Sequence, residues 1–149
     1  MLTALATNNR INEYLIGNLP APAWRLKAAD GKGRDIASTI AHMHNVRLMW
    51  LKAAAGAEDL PAKLEGDEFT PDDAVLALAT SHQALHVLIE RALNSDGRVK
   101  GFKPDAVGFV GYLIAHDAHH RGQISMLARQ LGHPVSKSAM FGMWEWGVR

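Results

Sequence analysis

Three histidines, an acid and an arginine fall within about two turns of one predicted helix, in the stretch His116-Asp117-Ala118-His119-His120-Arg121-Gly122-Gln123. Residues four apart on a helix project from the same face, so the side chains of His116 and His120 can close on one ion. Neutral imidazole is a common ligand for zinc, nickel, copper and iron. Because such a pair also arises by chance, a metal site requires a third ligand from elsewhere in the chain.

Other histidines compete for that role. His42 and His44 flank the apolar stripe of the second predicted helix on opposite sides, and periodicity does not choose between them. His82 and His86 form another four-apart pair, which lies on the core-facing stripe of the third predicted helix. By spacing alone this pair has nearly the same weight as the pair in the last helix. Its plainer interpretation is a polar patch that supports or neighbours the site.

Four helices and no strand are predicted around these residues. Thr70-Pro71-Asp72-Asp73 is a strong helix start, because threonine caps, proline suits the first turn and acids favour the positive end of the helix dipole. The predicted helices run over about Leu2–Gly17, Asp35–Ala55 with a stop at Gly56, Thr70–Leu93, and Pro104–Leu131 before a Gly132 cap. Four amphipathic helices predict a single all-α domain over 1–149, folded as an antiparallel four-helix bundle, in which metal sites are built from facing helices.

The core face of the last helix carries one histidine of the cluster. His120 lies on this face, His116 and Gln123 lie at its edge, and His119 is rotated away from it by about 100°. The other residues predicted on this face are Phe109, Leu113, Ile124, Leu127 and Leu131.

The tail over 133–149 is too aromatic to be free, so we expect it to pack on the bundle or on a partner subunit.

Composition excludes several classes of protein. The chain of 149 residues has no cysteine, which excludes disulfides, thiolate zinc sites and cysteine nucleophiles. A net charge of +1 without a basic cluster argues against nucleic-acid binding. No apolar run approaches the ~20 residues that span a bilayer, and no signal peptide opens the chain. We therefore expect a cytoplasmic protein without nucleic-acid or membrane partners.

The whole chain resembles the DinB/YfiT-like family of bacterial metal-binding four-helix bundles. The signature of that family is a histidine in the second helix and a HisxxxHis in the last, usually followed by Arg-Gly-Gln. Ile40-Ala41-His42-Met43 and the stretch from His116 to Gln123 match it, and Asn12 is a weaker match in the first helix. The resemblance implies a triad of His42, His116 and His120, a divalent metal that is often zinc or nickel, and a homodimer.

The resemblance also implies a kind of chemistry. Characterised relatives include transferases that use low-molecular-weight bacterial thiols and an isomerase that depends on one. Three neutral ligands leave an ion its full charge and free positions, as in catalytic sites. The leading hypothesis is a metal-dependent enzyme of the thiol S-transferase type, acting on a small electrophile. The alternatives are a metal-dependent hydrolase and a non-catalytic metal-binding stress protein. An enzyme should hold its ion at the base of a pocket.

Several other residues have expected positions or roles outside the group of ligands. Asp117, His119 and Gln123 are candidates to orient the ligands or a bound substrate. Arg121 is a candidate to meet an anionic substrate group, but the favoured expectation is a solvated helix face or a salt bridge to another helix. Glu145 could reach the site if the tail folds over the bundle, but it is favoured as a surface acid. The remaining large side chains expected in the core or a pocket wall are Met43, Met49, Trp50 and Met126.

Overall fold

The described residues of the computed structural model, which are 1–55, 60–66 and 68–149, form helices and turns and no strand. The helices are α1 (Leu2–Gly17), α2 (Ile36–Ala55), α3 (Pro71–Leu93), α4 (Ala106–Gln130) and α5 (Lys137–Gly142), with a short 3-10 helix at Ala21–Ala23. The prediction of an all-α protein is confirmed. The predicted stop at Gly56 lies outside the described residues. None of the described helices combines the length and the apolar character needed to cross a membrane.

Local capping explains where α3 and α4 begin. The Thr70 hydroxyl accepts from the Asp73 backbone N–H at 3.2 Å, and the Asp73 carboxylate accepts from the Thr70 N–H at 2.8 Å, which confirms the predicted cap. The prediction that α4 opens at Pro104 is wrong by two residues. Asp105 is the N-cap instead, because its carboxylate accepts from the Gly108 N–H at 2.8 Å and so satisfies an otherwise free donor of the first turn.

Two buried clusters fix the directions of the four long helices. In one cluster, the C-terminal parts of α1 and α4 pack against the N-terminal parts of α2 and α3. Its members include Leu15, Ile40, Leu78 and Ile124. The other joins the beginning of α1 and of α4 to the end of α2 and of α3, through Leu5, Leu51, Ile89 and Phe109. Helices α1 and α4 therefore run in one direction and α2 and α3 in the opposite one.

The predicted antiparallel arrangement is thus only partly right. The most extensive contact is between α2 and α3, which are parallel neighbours, whereas α1 contacts α2 little and α3 contacts α4 little. Parallel neighbours need a connection that returns along their length. The 15 positions from 56 to 70 are enough, because they can span about 50 Å when extended, whereas the 23 residues of α3 cover about 35 Å.

The C-terminal segment packs on its own chain, which was the first of the two predicted alternatives. Val135 and Ala139 belong to the buried cluster at the end of α4. The Arg149 guanidinium lies 3.6 Å from the ring centre of Tyr14 on α1. Gly142 lies so close to the Tyr14 hydroxyl that a side-chain carbon at this position would collide with it.

Candidate metal centre

The structure brings His42 on α2 together with His116 and His120 on α4. One ring nitrogen from each lies within 4.8 Å of the others, and the Nε2 atoms of His116 and His120 are 3.2 Å apart. Metal–nitrogen distances of about 2.0–2.1 Å in tetrahedral geometry place two ligand nitrogens about 3.4 Å apart. The α4 pair already has this separation, and the His42 ring centre lies 4.8 Å and 5.4 Å from the centres of the His120 and His116 rings. The donor set and its spacing therefore fit a divalent ion.

The cluster lies at a partly exposed edge where α2 packs against α4. His120 is buried, with 5% of its surface exposed, whereas His42 and His116 are half-buried. The one-turn spacing aligns the two α4 histidines, and the antiparallel packing of α2 supplies the third. A ligand from solvent can therefore approach the cluster from the side of its half-buried members.

Side-chain oxygens lie beside both α4 histidines, and one of them accepts a hydrogen bond from a histidine ring. Gln123 Oε1 accepts from His120 Nδ1 at 2.7 Å, and the Asp117 carboxylate lies 3.7 Å from His116 Nδ1, which is longer than a good hydrogen bond. With the proton of His120 on Nδ1, its Nε2 lone pair points into the cluster. Outer contacts of this kind fix the tautomer of metal-binding histidines. Of the three predicted orienting residues, Gln123 makes a hydrogen bond to a triad ring, whereas Asp117 lies beside His116 beyond good hydrogen-bond distance.

The electrostatics of the cluster favour neutral imidazole. Burial lowers the pKa of His42 to about 4, with further contributions from Arg34 and from the other two histidines. Burial also lowers the pKa of His120, and the hydrogen bond to Gln123 only partly offsets this effect. Since metal competes with protons for imidazole, these two groups are ready to bind at neutral pH.

The other histidines of α2 and α4 lie outside the cluster. His44 is fully buried, and its Nε2 donates to the carbonyl of Ala62 at 2.9 Å, in the connection that precedes α3. His119 is exposed, with its ring centre 5.0 Å from that of His120. Of the two candidate histidines on α2, His42 therefore lies beside the α4 pair, whereas His44 makes a hydrogen bond to the backbone elsewhere.

The second four-apart pair is separate from the triad. His82 and His86 are half-buried on α3, with ring centres 6.4 Å apart. Burial, followed by the charge of Arg47, lowers the pKa of His82 to about 4. Among the described residues, no third histidine or acid completes a metal-sized cluster with this pair.

A buried polar network next to the triad was not predicted as a unit. Asp117 Oδ2 accepts from Arg47 at 2.7 Å, from Asn8 at 2.7 Å and from Asn12 at 2.8 Å. Burial alone would raise the pKa of Asp117, but Arg47 and the hydrogen-bond donors hold it well below its usual range. The available sequence signal was Arg47 itself, because a charged residue within the apolar stripe of a helix requires a buried partner.

Arg121 has a different environment from the one predicted. It is half-buried, and its guanidinium donates to the amide oxygens of Asn8 at 2.8 Å and Asn12 at 2.6 Å. These two asparagines thus bridge Arg121 and Asp117. Asn12, the weaker sequence match, belongs to this network rather than to the group of three histidines.

A large cavity lies on the other side of α4 from the triad. Its volume is about 540 Å³, and none of the three histidines lines it. Met126 is in its wall and Met43 is in the core, as predicted, whereas Met49 is 52% exposed. Trp50 packs edge-on against the rings of Phe102, Phe109 and Tyr112. Glu145 is exposed, as predicted, and lies 3.4 Å from Arg149.

The protein is a helical bundle in which imidazoles from two facing helices converge. It therefore belongs to the class of helical proteins with a potential metal site between their helices. The family model described as the DinB family matches residues 1–145, and the chain belongs to that family. A search of curated proteins finds no match to this chain.

Proposed function

We propose that this protein binds a divalent metal ion, zinc or nickel, through His42, His116 and His120, and uses the ion to activate a small nucleophile. The observation that carries the proposal is the convergence of three imidazole nitrogens, to which no fourth histidine or acid of the described residues is added. Closed structural zinc sites usually have four protein ligands, whereas catalytic sites have three.

The protein residues around the triad have distinct roles in this proposal. A bound divalent ion lowers the pKa of a coordinated thiol or water, so the nucleophile forms near neutral pH. Gln123 holds the His120 ring with its Nε2 toward the cluster. Arg34 is exposed and close enough to affect both His42 and His120 electrostatically, so it favours an anionic substrate group at the open edge.

The proposed reaction is the transfer of a low-molecular-weight thiol to a small electrophile. The thiol sulfur forms a bond to an electrophilic carbon, the leaving group departs with its electron pair, and the thiol proton passes to solvent. The partly exposed position of the triad between α2 and α4 supports access by two small reactants. We further propose that the protein acts in the cytoplasm as a homodimer.

A second candidate function is metal binding without catalysis. The observation that favours it is the location of the large cavity behind α4, away from the triad. A substrate pocket over the ion is what an enzyme would be expected to have. A metal-binding stress protein needs only the triad and does not require such a pocket.

Elemental analysis combined with a thiol-conjugation screen tests the proposal. We expect about one ion per chain in protein purified without added metal. We also expect conjugation of low-molecular-weight thiols to 1-chloro-2,4-dinitrobenzene that is abolished by chelator and restored by zinc or nickel. Conjugation that continues unchanged in metal-stripped protein would refute the mechanism. Bound metal without any thiol transfer or ester hydrolysis would favour the non-catalytic function.

A further inference from the structure

The cavity behind α4 has the dimensions of a small-molecule site. It lies between the outer face of α4 and the C-terminal segment, and its volume of about 540 Å³ falls within the range of about 300–1,000 Å³ of ligand pockets. Most of its lining side chains are apolar, including Ile114, Met126, Met143 and Trp144. Ala118 and Gly122, at the middle of the α4 wall, leave room for an occupant.

The charged side chains that line this cavity are all positive. Arg121 and Arg129 are in its wall, and no aspartate or glutamate is among its lining residues. The described hydrogen bonds of the Arg121 guanidinium go to neutral amide oxygens, and the buried carboxylate of Asp117 forms its ion pair with Arg47. Within the described part of the chain, Arg121 therefore has no direct ion pair, although the charge of the nearby Asp117 carboxylate acts on it electrostatically. An anion in the cavity would pair with Arg121 directly.

A third feature of the wall is an unsatisfied hydroxyl. The Ser125 Oγ is shielded from water and has no hydrogen-bond partner among the described residues. Buried polar atoms normally have a partner. Rotation about the serine χ1 to another staggered position can turn this hydroxyl toward an occupant of the cavity.

We propose that this cavity is a binding site for a small organic anion with an aromatic or bulky apolar body, such as an arylcarboxylate. The apolar body lies against the α4 wall and Trp144, and the carboxylate lies near Arg121 and Arg129. The site is separate from the metal triad, because Ala118, Gly122 and Arg129 are on the opposite face of α4 from His116. A second copy of the chain is a less suitable occupant, since it would bring the same two cations to a face that already has them.

The first experiment uses calorimetric titration of the full-length, metal-loaded protein with 1-naphthoate. We expect saturable binding at one site per chain in the micromolar range, and binding about tenfold weaker for the neutral analogue 1-naphthalenemethanol. Arg129→Gln should weaken naphthoate binding about tenfold and leave the neutral analogue within about twofold, because a tenfold change corresponds to the loss of roughly one charge-assisted hydrogen bond. Equal binding of both analogues would overturn the assignment of an anion site.

Two glycines of α4 provide a matched pair of variants. A side-chain carbon at Gly122 or at Gly111 meets no other atom within 4 Å, and both residues are exposed, but only Gly122 lines the cavity. Gly122→Leu should fill the cavity and reduce naphthoate binding at least tenfold, whereas Gly111→Leu should leave it unchanged. Both variants should keep the metal content of the parent protein. Absence of naphthoate binding up to millimolar concentration would overturn the proposal, and so would a change of oligomeric state in Gly122→Leu, which would identify a second copy as the occupant.

Discussion

His120 is the most firmly held member of the triad. Its ring is buried, and Gln123 accepts from its Nδ1 at 2.7 Å. His42, by contrast, comes from a different helix and is half-buried. Metal binding at this site therefore depends on one residue fixed by its own helix and on another fixed by how α2 packs against α4.

The triad can be tested by single substitutions. Replacing His42, His116 or His120 by alanine should each remove the metal, because three neutral ligands leave little affinity to spare. Gln123→Ala should weaken binding less, by roughly 10–100-fold, as is typical for loss of an outer hydrogen-bond partner. The measurement is metal content after dialysis, followed by titration of zinc or nickel.

His119→Ala is the control for these substitutions, since His119 is exposed on the same helix. It should keep the metal. The second-helix assignment would be wrong if His44→Ala emptied the site and His42→Ala did not. Full metal content after His120→Ala would exclude the site altogether.

A second prediction concerns the response of the metal-free protein to acid. The pKa of His82 is lowered to about 4 in the folded state by burial and by the charge of Arg47. Between about pH 6.5 and 4, His82 therefore binds more protons in the unfolded chain than in the folded one. The contribution of neutral His82 to the free energy of unfolding is fully present above about pH 6.5 and is lost as the pH falls toward 4. Thermal unfolding from pH 7.5 to 4.5 should show this decrease, and His82→Gln should make it shallower. An identical slope in the variant would contradict the assignment.

At the scale of the elements, one buried ion pair joins α2 to α4. Besides Asp117, Arg47 contacts Asn9 of α1 at 2.7 Å and the carbonyl of Leu78 on α3 at 3.0 Å. One arginine thus contacts the three other long helices. The same network approaches the metal centre, because Asp117 is the residue next to His116.

Removal of one partner of this pair should be costly. Asp117→Leu leaves the Arg47 charge buried without a carboxylate, and we expect a loss of about 3–5 kcal/mol in the free energy of unfolding. The double variant Arg47→Met, Asp117→Leu should recover much of this loss, since neither charge is left alone. Urea unfolding gives both values. As a control, Glu65→Gln removes the exposed Lys63–Glu65 contact and should change stability little.

At the scale of the whole molecule, large apolar side chains are exposed on several elements. Met49 on α2 is 52% exposed, Leu76 on α3 is 68% exposed, Phe141 on α5 is 63% exposed and Trp144 is 79% exposed. Exposed apolar surface marks association sites where it is contiguous. These residues support the proposal of a homodimer but do not by themselves select one face.

Light scattering coupled to size exclusion tests that proposal. At tens of micromolar we expect twice the chain mass of 16.2 kDa, since most specific interfaces hold at this concentration. Leu76→Lys and Phe141→Lys place a charge on two different exposed faces, and the variant that becomes monomeric identifies the interface. A monomeric parent protein at this concentration would contradict the prediction.

The sequence by itself determined the features that depend on a few neighbouring residues. The four long helices, the Thr70 cap and the alignment of His116 with His120 follow from hydrogen bonds and side-chain directions within one or two turns. Even the error at Pro104 was local, because Asp105 was the better cap. Such features require no knowledge of how the helices meet.

The tertiary structure decided which side of each helix faces another helix. His42 and His44 both flank the same apolar stripe, and only the packing of α4 against one edge of α2 separates them. The parallel course of α2 and α3 and the pairing of Arg47 with Asp117 were likewise undetermined by periodicity. The physical reason is that periodicity gives the direction of a side chain relative to its own helix, whereas a metal site or an ion pair depends on the position of a second helix, which only packing of the whole chain fixes.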